Sequence, residues 1–358
     1  MSVKPTKELI LAALGTVMDP ELHKDLVTLN MVGDIEINGG QVGVVIILTT
    51  PACPLKGKIE NDVRNAVLQV PGVEKVNVKL DANVSADDRI FGRLQLPIKN
   101  IIAVASGKGG VGKTTVSVNL AIALAQMGAS VGILDADIYG PNVPQMFGVS
   151  VMPAPSGQKL NPAQAYGVQV MSMGFMLKPG QAALWRGPML HSAIRQMFSD
   201  VNWQPVDYMI VDMPPGTGDA QLSLTQSVPL TGGVVVSTPQ DVALADARRG
   251  LAAFQQLNVP ILGVIENMAY FIAPDTGKRY EIFGYGGAER AAADLKVPFL
   301  GRLPLVQQVR EGGDTGAPVV AADPESPIAE DFRTLARNLA AQVSMQKIKS
   351  SPDLKIIL

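Results

Sequence analysis

Apolar residues follow two different patterns along the chain, and the change from one to the other divides the sequence in two. Over residues 1–85, short stretches of alternating or helically spaced apolar positions predict a small α+β domain. From Ile101 onward, continuously apolar runs alternate with helical patterns, which is typical of a parallel sheet covered on both faces. The sequence therefore predicts a doubly wound α/β domain over 100–345, preceded by a linker at 86–99 and followed by a tail at 346–358.

The elements of the first domain follow from capping, turn chemistry and spacing. Thr6 is a good N-cap, and Asn38-Gly39-Gly40 is a good hairpin turn between two strand-like runs. The expected elements are a helix after Thr6, strands at 32–37, 41–49 and 73–80, and a helix at 56–69.

In the second domain, the apolar runs predict buried parallel strands and the intervening patterns predict helices. Ligands in such folds bind at the carboxyl ends of the strands, so polar residues at those ends are the candidates for chemistry. Strands are expected at 101–105, 130–134, 208–211, 233–237 and 261–266, with helices at 114–127, 190–199, 219–228, 242–257 and 287–295.

Composition narrows the classes of function. The 358 residues carry a formal net charge of −2, so no general attraction to nucleic acid or to anionic membranes is expected. We find no uninterrupted apolar run of the roughly 18 residues that a spanning helix needs, and no signal peptide. Cys53 is the only cysteine, which excludes an intrachain disulfide and suits a cytoplasmic protein.

A glycine-rich stretch between the first strand and the first helix of the second domain is the strongest motif. Its glycines, lysine and hydroxyl residue have the spacing of a loop that cradles phosphates. Lys113 can reach the outer phosphates of a nucleoside triphosphate, and the Thr114 hydroxyl can bind Mg²⁺. The candidate nucleotide-binding residues are Gly107, Lys108, Gly109, Gly110, Val111, Gly112, Lys113, Thr114 and Thr115.

Carboxylates follow two other strands and are candidates for the metal and the attacking water. Asp135 and Asp137 emerge from one strand on alternate positions, and Asp212 ends another. Such groups can order water bound to Mg²⁺ or orient the nucleophile, although Asp135 and Asp137 are also suited to turns or helix caps. The flexible segment Gly216-Thr217-Gly218 could sense the γ-phosphate as switch segments do.

Cys53 lies between two prolines just before the helix predicted at 56–69. A helix N-terminus favours a thiolate, which would make this cysteine reactive. A small apolar side chain that fills the core is an equally good interpretation.

One lysine separates this phosphate loop from the ordinary kind. Lys108, directly after the first glycine, resembles the second lysine of the dimerising ATPases related to septum-site and plasmid-partition proteins. The resemblance implies a homodimer that closes on ATP, with Lys108 reaching the nucleotide of the partner subunit. A solvated loop lysine is the alternative.

Taken together, the motifs resemble the Mrp/ApbC family of iron–sulfur cluster carrier ATPases, and the first 80 residues resemble a domain of iron–sulfur assembly proteins. The resemblance implies that Asp137 orients water, that Asp135 and Asp212 with Thr114 support Mg²⁺, and that Asn267 and Pro304 contact the base. It also implies transfer to apoproteins and assembly scaffolds, with Cys53 as the functional cysteine. The stretches that carry it are 108–115, 135–142, 184–188, 212–219, 266–268 and 282–284.

The chain departs from that family at one position. Many members carry Cys-x-x-Cys shortly after the Glu-Asn-Met motif, whereas this chain has Ala273 and Thr276 there. Neither is a ligand for iron, so a cluster bridged by four thiolates at this point is excluded. A labile cluster at Cys53 would need ligands from outside the chain.

Three functional hypotheses remain open. The chain is an ATPase that carries iron–sulfur clusters, a nucleotide switch or scaffold without a cluster, or a positioning ATPase of the partition type. The third predicts a basic surface or a basic amphipathic tail, and the sequence shows neither.

Overall fold

The computed structural model describes residues 4–90, 96–176, 187–216 and 227–350, together with 222, 224 and 225. The chain divides into two compact units, Met1–Ser85 with Ser344–Leu358 and Ala86–Val343. In the described part of the chain, no helix has both the length and the apolar character needed to cross a membrane.

The first unit is a three-stranded sheet with two helices, and it has the predicted order of elements. Strands β1 and β2 are antiparallel and meet at the predicted turn, where Asn38 pairs with Gln41. Strand β3 adds to β2 in parallel. Ile10, Leu14 and Ile59 are buried in its core. The elements are α1 (Lys7–Leu14), β1 (Val32–Asn38), β2 (Gln41–Leu48), α2 (Lys56–Leu68) and β3 (Lys75–Ala82).

The second unit contains an eight-stranded sheet in the order β13-β10-β9-β4-β8-β5-β7-β6. All neighbouring strands are parallel except the pair of β6 and β7. This confirms the predicted doubly wound, mostly parallel sheet. The strands are β4 (Ile98–Ala105), β5 (Val131–Asp135), β6 (Ala163–Ala165), β7 (Val168–Ser172), β8 (Val206–Asp212), β9 (Gly232–Ser237), β10 (Ile261–Glu266) and β13 (Phe299–Arg302).

The helices of the second unit include those predicted at 114–127, 190–199, 242–257 and 287–295, with ends shifted by a few residues. The one predicted at 219–228 lies largely outside the described residues. A separate two-stranded hairpin consists of β11 (Phe271–Ile272) and β12 (Arg279–Tyr280). The described helices are α3 (Lys113–Gln126), α4 (Val143–Met146), α5 (Gly187–Ser199), α6 (Asp241–Gln256), α7 (Gly287–Asp294), α8 (Gln307–Thr315), α9 (Val319–Ala322) and α10 (Pro327–Ser350).

Two predicted boundaries need correction. Part of the predicted linker belongs to the second unit, because Ile90 is fully buried in its core and Arg89 donates to the carbonyl of Leu230. The tail predicted from residue 346 begins too early, since α10 continues as helix to Ser350. Residues 351–358 lie outside the described part of the chain.

The register of the sheet explains why the predicted polar residues meet. Val104 near the end of β4 is paired with Asp212 of β8, and Asp135 of β5 is paired with the same aspartate. The carboxyl ends of these three parallel strands are therefore level with one another, and the phosphate loop leaves β4 at that edge.

Candidate nucleotide-binding site

The phosphate loop joins β4 to α3 as predicted. Gly110 and Gly112 have φ angles of 80° and 81°, in a region that side chains with a Cβ rarely adopt. Helix α3 begins at Lys113, so its amide groups and its positive dipole end face the loop. Local backbone geometry thus supports an anion site here.

The outer glycines of the loop are needed for close packing. A Cβ on Gly107 would lie 2.2 Å from the carbonyl oxygen of Asp246 in helix α6. A Cβ on Gly112 would lie 2.3 Å from the Nδ2 atom of Asn267. Both distances are far below normal contact, so α6 and the segment after β10 both constrain the loop.

Lys113, Thr114 and Asp212 form one buried network. The Lys113 Nζ atom lies 2.7 Å from Asp212 Oδ2, and the Thr114 hydroxyl donates to the same oxygen at 2.8 Å. The other carboxylate oxygen, Oδ1, accepts from Ser117 at 2.7 Å. Asp212 has no exposed surface, and the lysine side chain is 6% exposed. The network fixes the orientation of the carboxylate at the edge of the sheet.

Asp135 is the second buried carboxylate. Its Oδ2 atom accepts from the Ser172 hydroxyl at 2.9 Å and from the Val143 amide at 3.2 Å. Burial, with a smaller contribution from the charge of Asp212, raises the pKa of Asp135 well above its ordinary value. Two buried carboxylates at neighbouring strand ends repel each other, which favours a cation between or beside them.

Asp137 lies two residues further along, and it is half-buried. Its backbone amide donates to Asp135 Oδ1 at 3.1 Å, and its own carboxylate accepts from Gly140 at 3.3 Å. Burial raises its pKa, while Lys113 lowers it. A raised pKa makes Asp137 a better proton acceptor than an exposed aspartate.

Lys108 is exposed at the tip of the loop. Its carbonyl accepts from the Ser106 hydroxyl at 3.0 Å, which fixes the backbone at this point. Within the described residues its ammonium group makes no hydrogen bond or ion pair.

Asn267 and Pro304 lie on the other side of the loop. The Asn267 side chain donates to the carbonyl of Val111 at 2.8 Å. The carbonyl of Leu303, the residue before Pro304, accepts from the amide of Ala269 at 2.9 Å. The structure thus places Asn267 at the phosphate loop, and it places the segment with Pro304 beside the residues that follow Asn267.

With this geometry in place, the comparisons with known proteins are informative. A family model described as NUBPL iron-transfer P-loop NTPase matches residues 97–340, and one described as iron–sulfur cluster assembly protein matches residues 7–80. The chain belongs to the family of the iron-transfer P-loop NTPases.

Individual relatives match nearly the whole chain. Proteins named iron–sulfur cluster carrier protein from Synechocystis sp. and Deinococcus radiodurans are 53% and 52% identical, over 95% and 96% of this chain. The alignments cover 98% and 97% of those relatives. The recognised family resemblance is therefore confirmed.

Solved structures match the second unit. A nucleotide-binding protein from Archaeoglobus fulgidus, in complex with ADP, is 37% identical over 69% of this chain and 97% of its own, with a TM-score of 0.59. The cell-division ATPase MinD from Pyrococcus furiosus is 23% identical over 67% of this chain and 98% of its own, with a TM-score of 0.53. The second likeness shows the fold alone.

The donors at the phosphate loop are of the kind that Mg²⁺ prefers. Thr114 Oγ1 and Asp212 Oδ2 are hard oxygen donors 2.8 Å apart, and Asp135 adds a buried carboxylate beside them. No group of three or more His, Cys, Asp or Glu side chains among the described residues is arranged to hold a metal ion. Magnesium at nucleotide sites takes only one or two carboxylates and completes its shell with phosphates and water. This donor set therefore suits it.

Cys53 corrects one expectation. The cysteine is 9% exposed and lies in the core of the first unit, just before α2. Burial, with smaller contributions from the carboxylates of Glu21 and Asp19, raises the pKa of its thiol to about 11. The expected stabilisation of a thiolate by the helix N-terminus is wrong for this conformation, because desolvation and these two acids outweigh it.

The hairpin of β11 and β12 occupies the position where many family members carry two cysteines. The amide of Ala273 donates to the carbonyl of Lys278 at 2.9 Å, and the amide of Gly277 donates to that of Ala273 at 2.8 Å. Thr276 is exposed. The hairpin is thus an ordered turn without soft ligands.

Two residues of the site escaped the sequence reasoning. Ser117 binds Asp212, and it lies four positions after Lys113 between two valines of the helix, which is a detectable signal. Ser172 binds Asp135 from the end of β7, a strand that was not predicted. The predicted motif residues 184–186 and 217–219 lie outside the described part of the chain.

Proposed function

We propose that this chain is a Mg²⁺-dependent ATPase that carries iron–sulfur clusters to apoproteins in the cytoplasm and acts as a homodimer. The single observation that supports hydrolysis best is the buried network of Lys113, Thr114 and Asp212 at the phosphate loop. The cargo is inferred from the relatives named as iron–sulfur cluster carriers and from the assembly-type first unit.

Each residue of the network has a distinct role in this mechanism. Lys113 exchanges its contact with Asp212 for the outer phosphates, whose charge it neutralises. Thr114 and Asp212 would hold Mg²⁺, with Asp135 supporting its shell. Bound Mg²⁺ would supply charge neutralisation on the β- and γ-phosphates.

The remaining groups act on the nucleophile and the leaving phosphate. Asp137 orients the attacking water and accepts its proton, as its raised pKa favours. Lys108 extends to the nucleotide held by the partner subunit, where a cation stabilises charge that develops in the transition state. Asn267 and Pro304 lie beside the base.

Phosphate release tests the hydrolysis. Lys113→Ala should abolish nucleotide binding or turnover, whereas Lys108→Ala and Asp137→Ala should keep much of the binding while slowing hydrolysis. Gel filtration with and without ATP reports the dimer for the wild type and for Lys108→Ala. Unchanged turnover in all three variants would contradict the assignment.

Anaerobic reconstitution tests the cargo. Wild type and Cys53→Ser are loaded with iron and sulfide, with and without an added thiol, and bound iron is measured after desalting. The carrier function predicts thiol-assisted loading that Cys53→Ser loses. Absence of bound iron in both proteins would remove the chemical basis for a carrier.

The second candidate is a nucleotide switch or scaffold that holds no cluster. The hairpin without cysteines and the buried, protonated Cys53 favour it. In that case ATP hydrolysis and dimerisation persist while neither protein binds iron.

A further inference from the structure

The Asn267 side chain has a role that base recognition does not require. Its Nδ2 atom donates to the carbonyl of Val111 in the phosphate loop at 2.8 Å, and its Oδ1 atom accepts from the amide of Met268 at 3.0 Å. The residue is 8% exposed. One donor and one acceptor of the amide are thus committed to backbone groups, and the first of these lies in the phosphate loop itself.

The contact is close as well as directional. The Nδ2 atom would lie 2.3 Å from a Cβ at Gly112, the residue directly before helix α3. Only glycine leaves room for the amide at this point. Asn267 therefore contacts the loop at two consecutive residues, next to the lysine that binds phosphate.

The backbone at Asn267 is fixed by hydrogen bonds to segments other than the phosphate loop. Its amide donates to the carbonyl of Ser237 at 2.8 Å. The preceding Glu266 is fully buried and accepts from the amides of Gly286 and Ala288, at 3.0 and 2.8 Å. A side chain on so rigid a backbone can fix the position of the loop.

The same segment leads directly to the β11–β12 hairpin. Met268 has a φ of 56°, which turns the chain sharply after Asn267. The amide of Ala269 then donates to Leu303 at 2.9 Å, and the carbonyl of Tyr270 accepts from Leu305 at 2.7 Å. Only three residues separate Asn267 from the first strand of the hairpin.

The hairpin is attached to this segment by stacking. The guanidinium of Arg279 lies 4.2 Å from the ring centre of Tyr270 and 4.3 Å from that of Tyr285. Contacts of this kind contribute on the order of 0.5–1 kcal/mol each at exposed sites. A displacement of Tyr270 is therefore passed to the second strand of the hairpin as well as to the first.

We propose that Asn267 is a positioning residue: it holds the phosphate loop at Val111 and couples that loop to the hairpin Phe271–Tyr280. This inference rests on the proposed ATPase function and adds a contact that connects the phosphate loop to the hairpin. Nucleotide binding at the loop changes the environment of the Val111 carbonyl, and the Asn267 amide passes that change to the hairpin.

A ligand without a base distinguishes this role from recognition of the base. Dissociation constants for ATP and for inorganic triphosphate are measured for the wild type, Asn267→Ala and Asn267→Asp. Loss of one hydrogen bond to the loop should weaken inorganic triphosphate by about five- to tenfold, and ATP by at least as much. Asn267→Asp keeps the size and the Met268 contact while losing the donor, so it should weaken inorganic triphosphate as well.

Asn338→Ala is the matched control. Asn338 donates one amide hydrogen bond to a carbonyl, that of Leu300, at the same 2.8 Å, but it has no contact with the loop. It should leave both dissociation constants within about twofold of the wild type. Unchanged affinity for inorganic triphosphate in the Asn267 variants would overturn the proposal. Failure of the wild type to bind ATP would instead contradict the proposed function.

Hydrogen exchange tests the link to the hairpin. The amides of Ala273 and Gly277 are hydrogen-bonded within the turn, so their exchange reports on its stability. In the wild type and in Asn338→Ala, saturating ATP should change exchange in the peptide that spans 271–280. In Asn267→Ala, saturated with ATP at a correspondingly higher concentration, that change should be lost. An equal response in Asn267→Ala and the wild type would overturn the coupling.

Discussion

Replacing Ser117 by alanine should weaken the response to Mg²⁺ without removing any expected ligand of the metal. The Ser117 hydroxyl has a single hydrogen and two acceptors within reach, Asp212 Oδ1 at 2.7 Å and the Lys113 carbonyl at 3.0 Å. The shorter contact, to a carboxylate, is the stronger one. It orients Asp212 so that the other oxygen faces Thr114.

The expected loss of Mg²⁺ affinity follows from the burial of Ser117 and Asp212. Ser117 and Asp212 have no exposed surface, so water cannot replace the lost donor. A hydrogen bond to a charged group contributes about 1.5–3 kcal/mol. A factor of ten in affinity corresponds to about 1.4 kcal/mol. Loss of this hydrogen bond from the metal-bound state should therefore lower the affinity for Mg²⁺ by roughly ten- to hundredfold.

The assay is phosphate release at fixed ATP over a range of Mg²⁺ concentrations. In Ser117→Ala the Mg²⁺ concentration for half-maximal rate should rise by that factor, while the rate at saturating Mg²⁺ changes by about threefold at most. Ser199→Ala is the matched control, because its hydroxyl also donates to an aspartate, Asp200, at 2.7 Å, but at an exposed position. If Ser117→Ala requires no more Mg²⁺ than Ser199→Ala, the orienting role is refuted.

Three further changes test other parts of the structure. Only the thiolate reacts, so with a thiol pKa of about 11 the rate at which Cys53 reacts with iodoacetamide should rise about tenfold for each pH unit from 7 to 10. A rate that stops rising near neutral pH would contradict the raised pKa. Gly107→Ala should abolish ATP binding, since its Cβ would lie 2.2 Å from the Asp246 carbonyl, and binding at wild-type affinity would contradict this packing. Glu266→Gln should lower the free energy of unfolding by about 2–4 kcal/mol in urea, because a buried carboxylate that accepts two amides is lost. Glu289→Gln is the control: it removes an exposed carboxylate, so it should lower the free energy of unfolding much less.

The phosphate site could be predicted from the sequence because its parts are local. The loop, its lysine and the aspartates at strand ends are each defined by a few consecutive residues. A parallel sheet then brings the strand ends together without further information, as the pairing of Asp135 with Asp212 shows.

Other parts of the site depend on contacts between distant segments, which no short motif records. The approach of Gly107 to Asp246 joins residues 139 positions apart, and Asn267 lies 156 positions from Val111. Strand β7 contains Gln169 among apolar residues, so its pattern is weak, and Ser172 was missed with it. No helix was predicted over 307–343, where the structure has α8, α9 and most of α10.

The two interpretations of Cys53 stayed open because the sequence shows the helix that follows it but not the burial around it. A helix N-terminus stabilises a charge by about 0.3–1 kcal/mol at the surface, while full burial shifts pKa values by several units in the opposite direction. Two nearby acids add to the same effect. The balance can be evaluated only once the packing is known.

The two halves of the proposed function therefore place different demands on the chain. Hydrolysis draws on groups already assembled in the second unit, where Lys113, Thr114 and Asp212 are in contact. Cluster binding requires a thiolate, and Cys53 is a buried thiol that must lose both its proton and its shielding before it can bind iron. Two copies of the chain supply two thiolates, whereas clusters are ordinarily held by four ligands. If the proposed carrier function holds, a cluster on this protein would need further ligands from a donor, an acceptor or a small thiol, which would suit transfer better than storage.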